Sequence, residues 1–215
     1  MAKTFFITGT DTGVGKTILA AQLVRFLRAN GVNAAALKPI CSGGRGDARK
    51  LFAAMDGALP LDEINPWHFR AAIAPLLAAR LEEKSVKLPQ IAAKIRAAQK
   101  RFDVLLVEGA GGLLSPLGEN FNSRDLILAL GAIPLVVAPN KLGVINQILL
   151  TLEALPENFR WNARVILMAP LKPDAATSSN TKLLSEFFPA EQIFTVPRIG
   201  KIFSAGKIFS ALARI

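Results

Sequence analysis

The stretch Thr8-Gly9-Thr10-Asp11-Thr12-Gly13-Val14-Gly15-Lys16-Thr17 decides the fold, because it stands between an apolar run, 5–7, and a helix-like stretch, 18–29. A strand, a glycine-rich loop, a Lys-Thr pair and a helix in this order wrap a polyphosphate. Glycines let backbone N–H groups converge on phosphate oxygens, Lys16 supplies a mobile positive charge, and the Thr17 hydroxyl can bind Mg²⁺. The chain is therefore predicted to use a nucleoside triphosphate.

The spacing inside this loop departs from the common form of the motif. The pattern G-x-x-x-x-G-K-[ST] is usual for phosphate loops, whereas five residues separate Gly9 from Gly15 here. A chance glycine-rich turn would not be expected between a strand and a helix with Gly-Lys-Thr at its end, so we interpret the loop as a variant of the motif.

Composition predicts one domain over residues 1–215, because 51% hydrophobic and 20% charged residues are typical of a folded domain with a sizeable core. The net charge of +10 raises the question of nucleic acid or membrane binding. Lysines and arginines are scattered, however, and no nucleic-acid-binding signature accompanies them. We expect neither partner. A single cysteine and a short N-terminal apolar run favour a cytoplasmic protein without an internal disulfide.

Short apolar runs alternate with helical patterns along the chain, which predicts an α/β fold. The expected architecture is a single-domain, doubly wound, mostly parallel sheet flanked by helices, as in P-loop NTPases. The predicted strands are 4–8, 32–37, 104–107, 133–138, 165–168 and 193–196. The predicted helices are 16–29, 47–55, 71–82, 89–99, 123–130, 146–155, 181–187 and 203–213.

Polar and glycine-rich clusters follow the predicted strands, at the carboxyl edge where parallel sheets bind ligands. Besides the phosphate loop, they are 38–44 with Asp47, 108–112, 140–146 and 197–198. Since these segments meet at one edge, the sequence predicts one composite site.

Three oxygen-bearing residues in these clusters, Thr17, Asp47 and Glu108, form a candidate Mg²⁺ set. Glu108 ends a strong apolar strand and is followed by small residues, which suits a metal ligand beside a phosphate. Asp47 has a second interpretation, as the N-cap of a helix. His68 is the only histidine, which argues against a catalytic triad and against histidine-bound metal.

Lys38 and the loop 140–146 are candidate sites for anionic groups. Lys38 could stabilise negative charge on a phosphate or carbamate, although a surface lysine is the simpler interpretation. Ser42 could donate a hydrogen bond to a substrate. The loop 140–146 enters a helix, whose free N–H groups and Lys141 could hold a carboxylate; a plain connecting loop is the alternative.

Four motifs in order, namely 8–17, Lys38-Pro39-x-x-Ser42-Gly43, 108–112 and Lys141-Leu142-Gly143-x-Ile145-Asn146, resemble the dethiobiotin synthetase family. The resemblance covers about residues 1–150. It implies a cyclo-ligase that forms C–N bonds: 7,8-diaminopelargonate takes up CO₂ to form a carbamate, ATP phosphorylates it to a carbamic-phosphoric anhydride, and ring closure releases dethiobiotin, ADP and phosphate. It also implies a homodimer.

The resemblance assigns roles to individual residues of this chain. Catalysis is assigned to Lys38, Lys16 and Thr12, and Mg²⁺ to Thr17, Asp47 and Glu108. Substrate contacts are assigned to Thr12, Ser42, Leu142, Gly143 and Asn146, with the contacts to the substrate carboxylate coming from the partner subunit. Nucleotide contacts are assigned to Gly13, Val14, Gly15, Lys16, Thr17, Asp47, Glu108, Gly109, Ala110, Gly111, Pro197, Arg198 and Ile199.

Two departures from the family pattern bear on the nucleotide base and on the substrate side. Family members often have an asparagine after the fifth strand, where this chain has Met168-Ala169-Pro170. ATP is expected, and CTP or another nucleoside triphosphate stays open. The segment 65–75 keeps the family's flanking residues, but Arg70-Ala71-Ala72 replaces a more polar stretch.

Two other classes share the loop and the predicted sheet. A MinD/ParA-type switch NTPase, which works with a protein, membrane or DNA partner, has a lysine near the loop start, where this chain has Asp11. A cobyrinate-type synthetase carries a glutaminase domain with a nucleophilic cysteine, and Cys41 lacks that context. The switch NTPase class also leaves Lys38-Pro39 and Lys141-Leu142-Gly143 unexplained.

Overall fold

The computed structural model describes residues 2–197. The predicted helix 203–213 and the candidate nucleotide-binding residues Arg198 and Ile199 lie outside this range. In chain order the strands are β1 (Lys3–Gly9), β2 (Ala34–Leu37), β3 (Ile40–Ser42), β4 (Trp67–Phe69), β5 (Val104–Glu108), β6 (Pro116–Gly118), β7 (Phe121–Asn122), β8 (Ile133–Pro139), β9 (Arg164–Ala169) and β10 (Ile193–Pro197).

The helices alternate with these strands, as predicted for an α/β fold. They are α1 (Lys16–Ala29), α2 (Gly46–Ala54), α3 (Leu61–Ile64), α4 (Pro75–Leu81), α5 (Leu88–Gln99), α6 (Ser123–Leu130), α7 (Val144–Glu153), α8 (Glu157–Arg160) and α9 (Ala175–Leu184). A short 3₁₀ turn, Ala190–Gln192, precedes β10.

Six strands form one sheet in the order β10-β9-β8-β1-β5-β2, and every neighbouring pair is parallel. The chain first builds β1, β2 and β5 toward one side and then β8, β9 and β10 toward the other. This reversal of direction with right-handed crossovers puts helices on both faces. The predicted doubly wound, mostly parallel sheet is thus confirmed.

The middle of the sheet is buried on both faces, which is why its strands read as continuous apolar runs. In β1, the side chains of Phe5, Phe6 and Ile7 are all almost inaccessible to solvent. Helix α1 packs on β1, β2 and β5, while α5 and α6 pack on β5, on β1 and on each other. The sheet and these helices share one hydrophobic core.

The predicted helices 16–29 and 123–130 are confirmed at both ends, whereas 71–82 was wrong at its start. The structure begins this helix at Pro75, and Ala74 is extended, with ψ 134°. A residue before proline is driven out of the helical region by a clash with the proline ring. Residues 71–74 therefore form a loop, and this loop reaches the carboxyl edge of the sheet.

Other element boundaries also differ from the predictions. The predicted helix 181–187 starts earlier, at Ala175, because Asp174 and Thr177 form a capping box. The predicted strand 32–37 starts at Ala34, since the Val32 N–H still closes the turn after α1 by donating to Leu27. Two small pairs were not predicted: the parallel pair β3–β4 and the antiparallel pair β6–β7.

A capping box also starts α6, and it gives a test of this local structure. The Asn122 side chain accepts from the Asp125 N–H, and Asp125 accepts from the Asn122 N–H. Asn122→Ala should lower the free energy of unfolding by about 1 kcal/mol, and the Tm by roughly 2–4 °C. Thermal denaturation measures this change, and Asn162→Ala, in an exposed turn, is the matched control. Equal shifts in both variants would contradict the cap's contribution.

Candidate active site

The phosphate loop spans the turn from β1 to α1, and its backbone has the shape that an anion requires. Gly15 stands directly before α1 with φ 109°, a conformation that L side chains rarely adopt. A Cβ on Gly15 would also lie only 3.1 Å from the Met168 side chain. No side chain among the described residues caps α1, so the first N–H groups of this helix face the loop and suit a phosphate.

Lys16 lies almost entirely buried at the base of this loop. Its Nζ donates to the backbone carbonyl oxygen of Asp11, at 2.8 Å, and so closes the loop on itself. Burial, and after it the nearby charge of Lys38, lower the pKa of Lys16 to about 8. A phosphate would add negative charge next to this buried ammonium.

Glu108, Lys38 and Thr17 form a buried cluster next to the loop. Glu108 Oε1 accepts hydrogen bonds from Thr17 Oγ1 and from Lys38 Nζ, each at 2.7 Å. Lys38 Nζ also donates to the Gly109 carbonyl oxygen at 2.7 Å. Lys38 is 4% exposed and Glu108 is 1% exposed. The Lys38 interpretation as a surface residue is therefore wrong: its ammonium is an internal group, held in place by a carboxylate.

The oxygens around Glu108 fit a magnesium ion. Glu108 Oε2 is buried and has no hydrogen-bond partner among the described residues, which is a costly arrangement unless a ligand satisfies it. The Thr17 hydroxyl donates a hydrogen bond to the other oxygen of the same carboxylate. The Asp47 side chain is 45% exposed, and its Oδ2 lies 3.9 Å from Lys38 Nζ. Two carboxylates and a hydroxyl are the hard oxygen donors that Mg²⁺ prefers.

A cavity of about 630 Å³ joins the loop to this cluster. Of the clusters that the sequence predicts at one composite site, the phosphate loop, 38–47 and 108–112 contribute residues to this cavity. The predicted site residues that line it are Thr12, Gly13, Gly15, Lys16, Thr17, Lys38, Ser42, Asp47, Glu108, Ala110 and Gly111. Val14 is buried beneath the loop, and Gly109 lines a small neighbouring cleft.

Some predicted substrate residues lie away from this cavity within the described chain. Leu142 is 83% exposed on the loop that leads from β8 into α7. Gly143 caps the start of α7 with φ 84°, and Asn146 lies in its first turn. The three residues do not line the cavity of their own chain. Pro197 ends β10 opposite Ala169, at the same edge of the sheet as the phosphate loop.

Several residues of the cavity wall were not predicted as site residues. They are Ile18, Cys41, Lys50, Ala72, Ile73, Ala74, Pro75, Ser115 and Pro116. The helical pattern wrongly extends over residues 72–74, and the position of Ala74 before Pro75 was the signal that they form a loop. Ser42, predicted to donate to a substrate, donates here to the Ile73 carbonyl oxygen at 2.6 Å. This hydrogen bond ties the loop 71–74 to β3.

Comparisons with known proteins show the family of this chain. A family model described as an AAA domain matches residues 3–205. An ATP-dependent dethiobiotin synthetase of Anaeromyxobacter sp. strain Fw109-5 is 49% identical over 70% of this chain and 69% of its own. Another, of Akkermansia muciniphila, is 43% identical over 87% of this chain and 89% of its own. The chain belongs to the dethiobiotin synthetase family. As a dethiobiotin synthetase-family member it is an enzyme, a ligase that forms C–N bonds.

Likeness to solved structures supports the fold of this dethiobiotin synthetase-family chain and nothing further. A ParA family ATPase from Chlorobium tepidum has a TM-score of 0.60 at 12% identity, covering 99% of this chain and 92% of its own. At such low identity a shared fold does not carry a shared function. Within residues 2–197, no helix combines the length and the apolar character needed to cross a membrane.

The lowered pKa of Lys16 predicts how nucleotide affinity depends on pH. Below about pH 8 the free protein already carries a protonated Lys16, so the affinity for a nucleoside triphosphate should be constant there. Above that pH, binding must be accompanied by proton uptake, and affinity should fall by up to about tenfold per pH unit. Calorimetry with a non-hydrolysable analogue between pH 7 and pH 10 measures this slope.

Lys16→Arg is the matched control, because a guanidinium stays protonated throughout this range. Its affinity should be nearly independent of pH above 8, whatever its absolute value. The same slope in both proteins would assign the pH dependence to another group. Phosphate monoesters lose their last proton near pH ~6, so the nucleotide itself contributes little to the slope.

Proposed function

We propose that this protein is an ATP- and Mg²⁺-dependent dethiobiotin synthetase that acts on 7,8-diaminopelargonate (7,8-diaminononanoate) and CO₂. Family membership supports the reaction class. The observation that carries the proposal is the position of Lys38: a buried ammonium bound to Glu108, in one cavity with Lys16 and Thr17. Lys38 is a second internal cation besides the phosphate-loop lysine, and it suits the additional negative charge of a carbamate.

The reaction proceeds in three balanced steps. One amine of the substrate attacks CO₂, forms a C–N bond and loses a proton, which gives a carbamate. A carbamate oxygen attacks the γ-phosphorus of ATP, the bond to the β-phosphate oxygen breaks, and ADP leaves with the electron pair. The second amine then attacks the carbonyl carbon of the carbamic-phosphoric anhydride. The C–O bond to phosphate breaks, phosphate leaves, and the loss of a proton completes the cyclic urea of dethiobiotin.

The phosphate loop holds the triphosphate of ATP. Residues 13–17 offer backbone N–H groups and the Lys16 ammonium to its oxygens, and 109–111 close the cavity from the β5 side. Thr17, Asp47 and Glu108 would hold Mg²⁺. When bound, the ion supplies positive charge to the phosphate oxygens. The orphaned Glu108 Oε2 supports this assignment.

Lys38 stabilises the negative charge of the carbamate and of the transferring phosphoryl group. Its ammonium is excluded from solvent and fixed by Glu108 and Gly109, so it keeps its position during the reaction. A charge in such a site acts more strongly than one in water, because the surroundings screen it less. Thr12, at the edge of the same cavity, would orient the diamine end of the substrate.

The far carboxylate of the substrate requires a second anion site, and the loop 142–146 supports it. Gly143 caps the start of α7 in a left-handed conformation, and no side chain among the described residues caps this helix, so the N–H groups that follow Val144 suit an anion. Since Leu142 is exposed and the loop lies off the cavity of its own chain, the proposal places it in the substrate site of a homodimer partner. Because the Ser42 hydroxyl hydrogen is donated to Ile73, Ser42 would accept a hydrogen bond from an amine of the substrate.

The remaining assignments follow from the same proposal. The chain works as one domain in the cytoplasm, and neither nucleic acid nor membrane is required as a partner. Pro197, with Arg198 and Ile199 beyond the described residues, would contact the base of the nucleotide. ATP is the assigned nucleotide, and CTP is the comparison to measure, because Ala169 stands at the end of β9, where the family often has asparagine.

Product formation tests the proposal directly. The purified protein, incubated with diaminopelargonate, bicarbonate, Mg²⁺ and ATP, should form dethiobiotin, detected by mass, and release one ADP per product. Omission of bicarbonate should stop both dethiobiotin and ADP release, which a plain NTPase would not show. Parallel assays with CTP measure the base preference. Absence of dethiobiotin with every nucleoside triphosphate would refute the function.

Two lysine substitutions should separate the two halves of the site. Lys16→Ala should lower turnover by about 10²–10³-fold, since it removes a charge from the transferred phosphate, and should also weaken nucleotide binding. Lys38→Ala should lower turnover by a similar factor while the Kd for ADP changes less than about threefold. Steady-state rates and calorimetry measure both effects.

Lys100→Ala provides the control for these two variants. Lys100 is exposed at the end of α5, and the variant should keep parental rates. Lys38→Ala leaves Glu108 as a buried carboxylate without its counter-charge, so its unfolding must be followed as well. Loss of ADP affinity without loss of turnover at saturating ATP would contradict the carbamate role of Lys38.

A further inference from the structure

We propose that Asn65, locked by Arg45, is a positioning residue for Lys38, an inference that rests on the catalytic role proposed for Lys38. Neither side chain lines the cavity, so neither contacts the reacting atoms. Both act through the backbone that carries Lys38. The two residues come from opposite ends of the segment between β3 and β4: Arg45 is at the N-cap position of α2, and Asn65 follows α3.

Lys38 needs such support because β2 ends at Leu37, one residue before it. The β2–β5 ladder ends at the pair Leu37 and Val107, and β2 is the edge strand of the sheet. The Lys38 backbone therefore has no further strand partner. Its N–H donates to the Ile64 carbonyl oxygen at 2.9 Å, and its carbonyl oxygen accepts from Asn65 Nδ2 at 2.7 Å. Residues 64 and 65 thus replace the missing ladder.

The Asn65 side chain is fully buried, and each end of its amide has a defined partner. Nδ2 donates to the carbonyl oxygens of Lys38 and, at 3.3 Å, of Trp67. Oδ1 accepts from Arg45 Nε at 3.2 Å and from Cys41 Sγ at 3.1 Å. A single amide group supplies the donors and the acceptor at this spacing, which a carboxylate or a hydroxyl cannot do.

Arg45 determines which way this amide points. A guanidinium has donors and no acceptor, so the group that faces Arg45 Nε must be Oδ1, and Nδ2 is thereby turned toward Lys38. Arg45 Nη2 also donates to the carbonyl oxygens of Leu61 and Asn65, at 2.7 and 3.1 Å. The guanidinium therefore holds both the backbone and the side chain of Asn65 through one rigid group.

The consequence for catalysis is geometric. Lys38 Nζ must lie within 2.7 Å of both Glu108 and Gly109, and a displacement of the order of 1 Å in a reacting group can cost about 10²-fold in rate. Asn65→Asp keeps the shape and can pair with Arg45, but it places an acceptor against the Lys38 carbonyl oxygen. We expect kcat to fall by about 10–100-fold, with the KM for ATP and the Kd for ADP within about threefold of parental values.

A second variant and a control separate positioning from general stability. Arg45→Lys keeps the charge but loses the fork of donors, and it should reproduce most of the kcat loss. The same guanidinium forms an ion pair with Asp62, in which Arg45 Nη1 and Asp62 Oδ1 are 2.7 Å apart and the Asp62 side chain is 84% exposed. Asp62→Asn removes this ion pair. Exposed ion pairs contribute little, so this variant should keep kcat within about twofold.

The decisive measurement is a double-mutant cycle with Lys38→Ala. If Asn65 acts through Lys38, Asn65→Asp should lower kcat by less than about threefold in the Lys38→Ala background, read from single turnovers with enzyme in excess. An equal loss in both backgrounds, or parental kcat in Asn65→Asp itself, would overturn the inference. Parental turnover in Lys38→Ala would instead refute the proposed role of Lys38.

A readout without turnover completes the test. Hydrogen exchange of peptides that cover residues 36–40 should rise in Asn65→Asp and Arg45→Lys and stay parental in Asp62→Asn, with β1 peptides as the internal reference. This result is expected whether or not the protein forms dethiobiotin. Unchanged exchange at residue 38 in Asn65→Asp would show that Asn65 does not hold this backbone.

Discussion

The shared oxygen of Glu108 is the interaction on which the whole site depends, because it joins three elements that are distant in sequence. Thr17 comes from the first turn of α1, Lys38 follows β2, and Glu108 ends β5, yet Thr17 and Lys38 both donate to Glu108 Oε1 at 2.7 Å. A carboxylate at this depth is costly without hydrogen bonds or counter-charge. Two donors satisfy one of its oxygens, and the other is available to a ligand.

Strand register makes this meeting of side chains unavoidable. Ile7 pairs with Glu108 on one side of β5, and Leu37 pairs with Val107 on the other, so Lys38 stands beside Glu108. A slip of one residue would turn every side chain of the slipped strand to the opposite face. The continuous burial of β1 and β5 ties the positions of Glu108 and Lys38 to the packing of the core.

The sequence predicted the parts of this protein that rest on local patterns. Helices α1 and α6 matched because Gly15 and the capping box at Asn122 mark where they start. The loop before Pro75 and the pair β3–β4 escaped prediction, since their structure depends on contacts such as the hydrogen bond from Ser42 to Ile73. Lys38 illustrates the same limit: its neighbours along the chain do not reveal that it is buried.

By itself, the sequence determined the fold class and the kind of ligand, because the order strand, glycine loop, Lys-Thr and helix is a local pattern with one structural outcome. It also determined the family, because four motifs occur along the chain in the order typical of that family. The tertiary structure alone decided which groups meet: that Lys38 pairs with Glu108, that Asn65 supports Lys38 where its strand ends, and that the loop 142–146 lies off the cavity of its own chain. These outcomes depend on sheet order and register, which are set by packing between segments far apart in sequence.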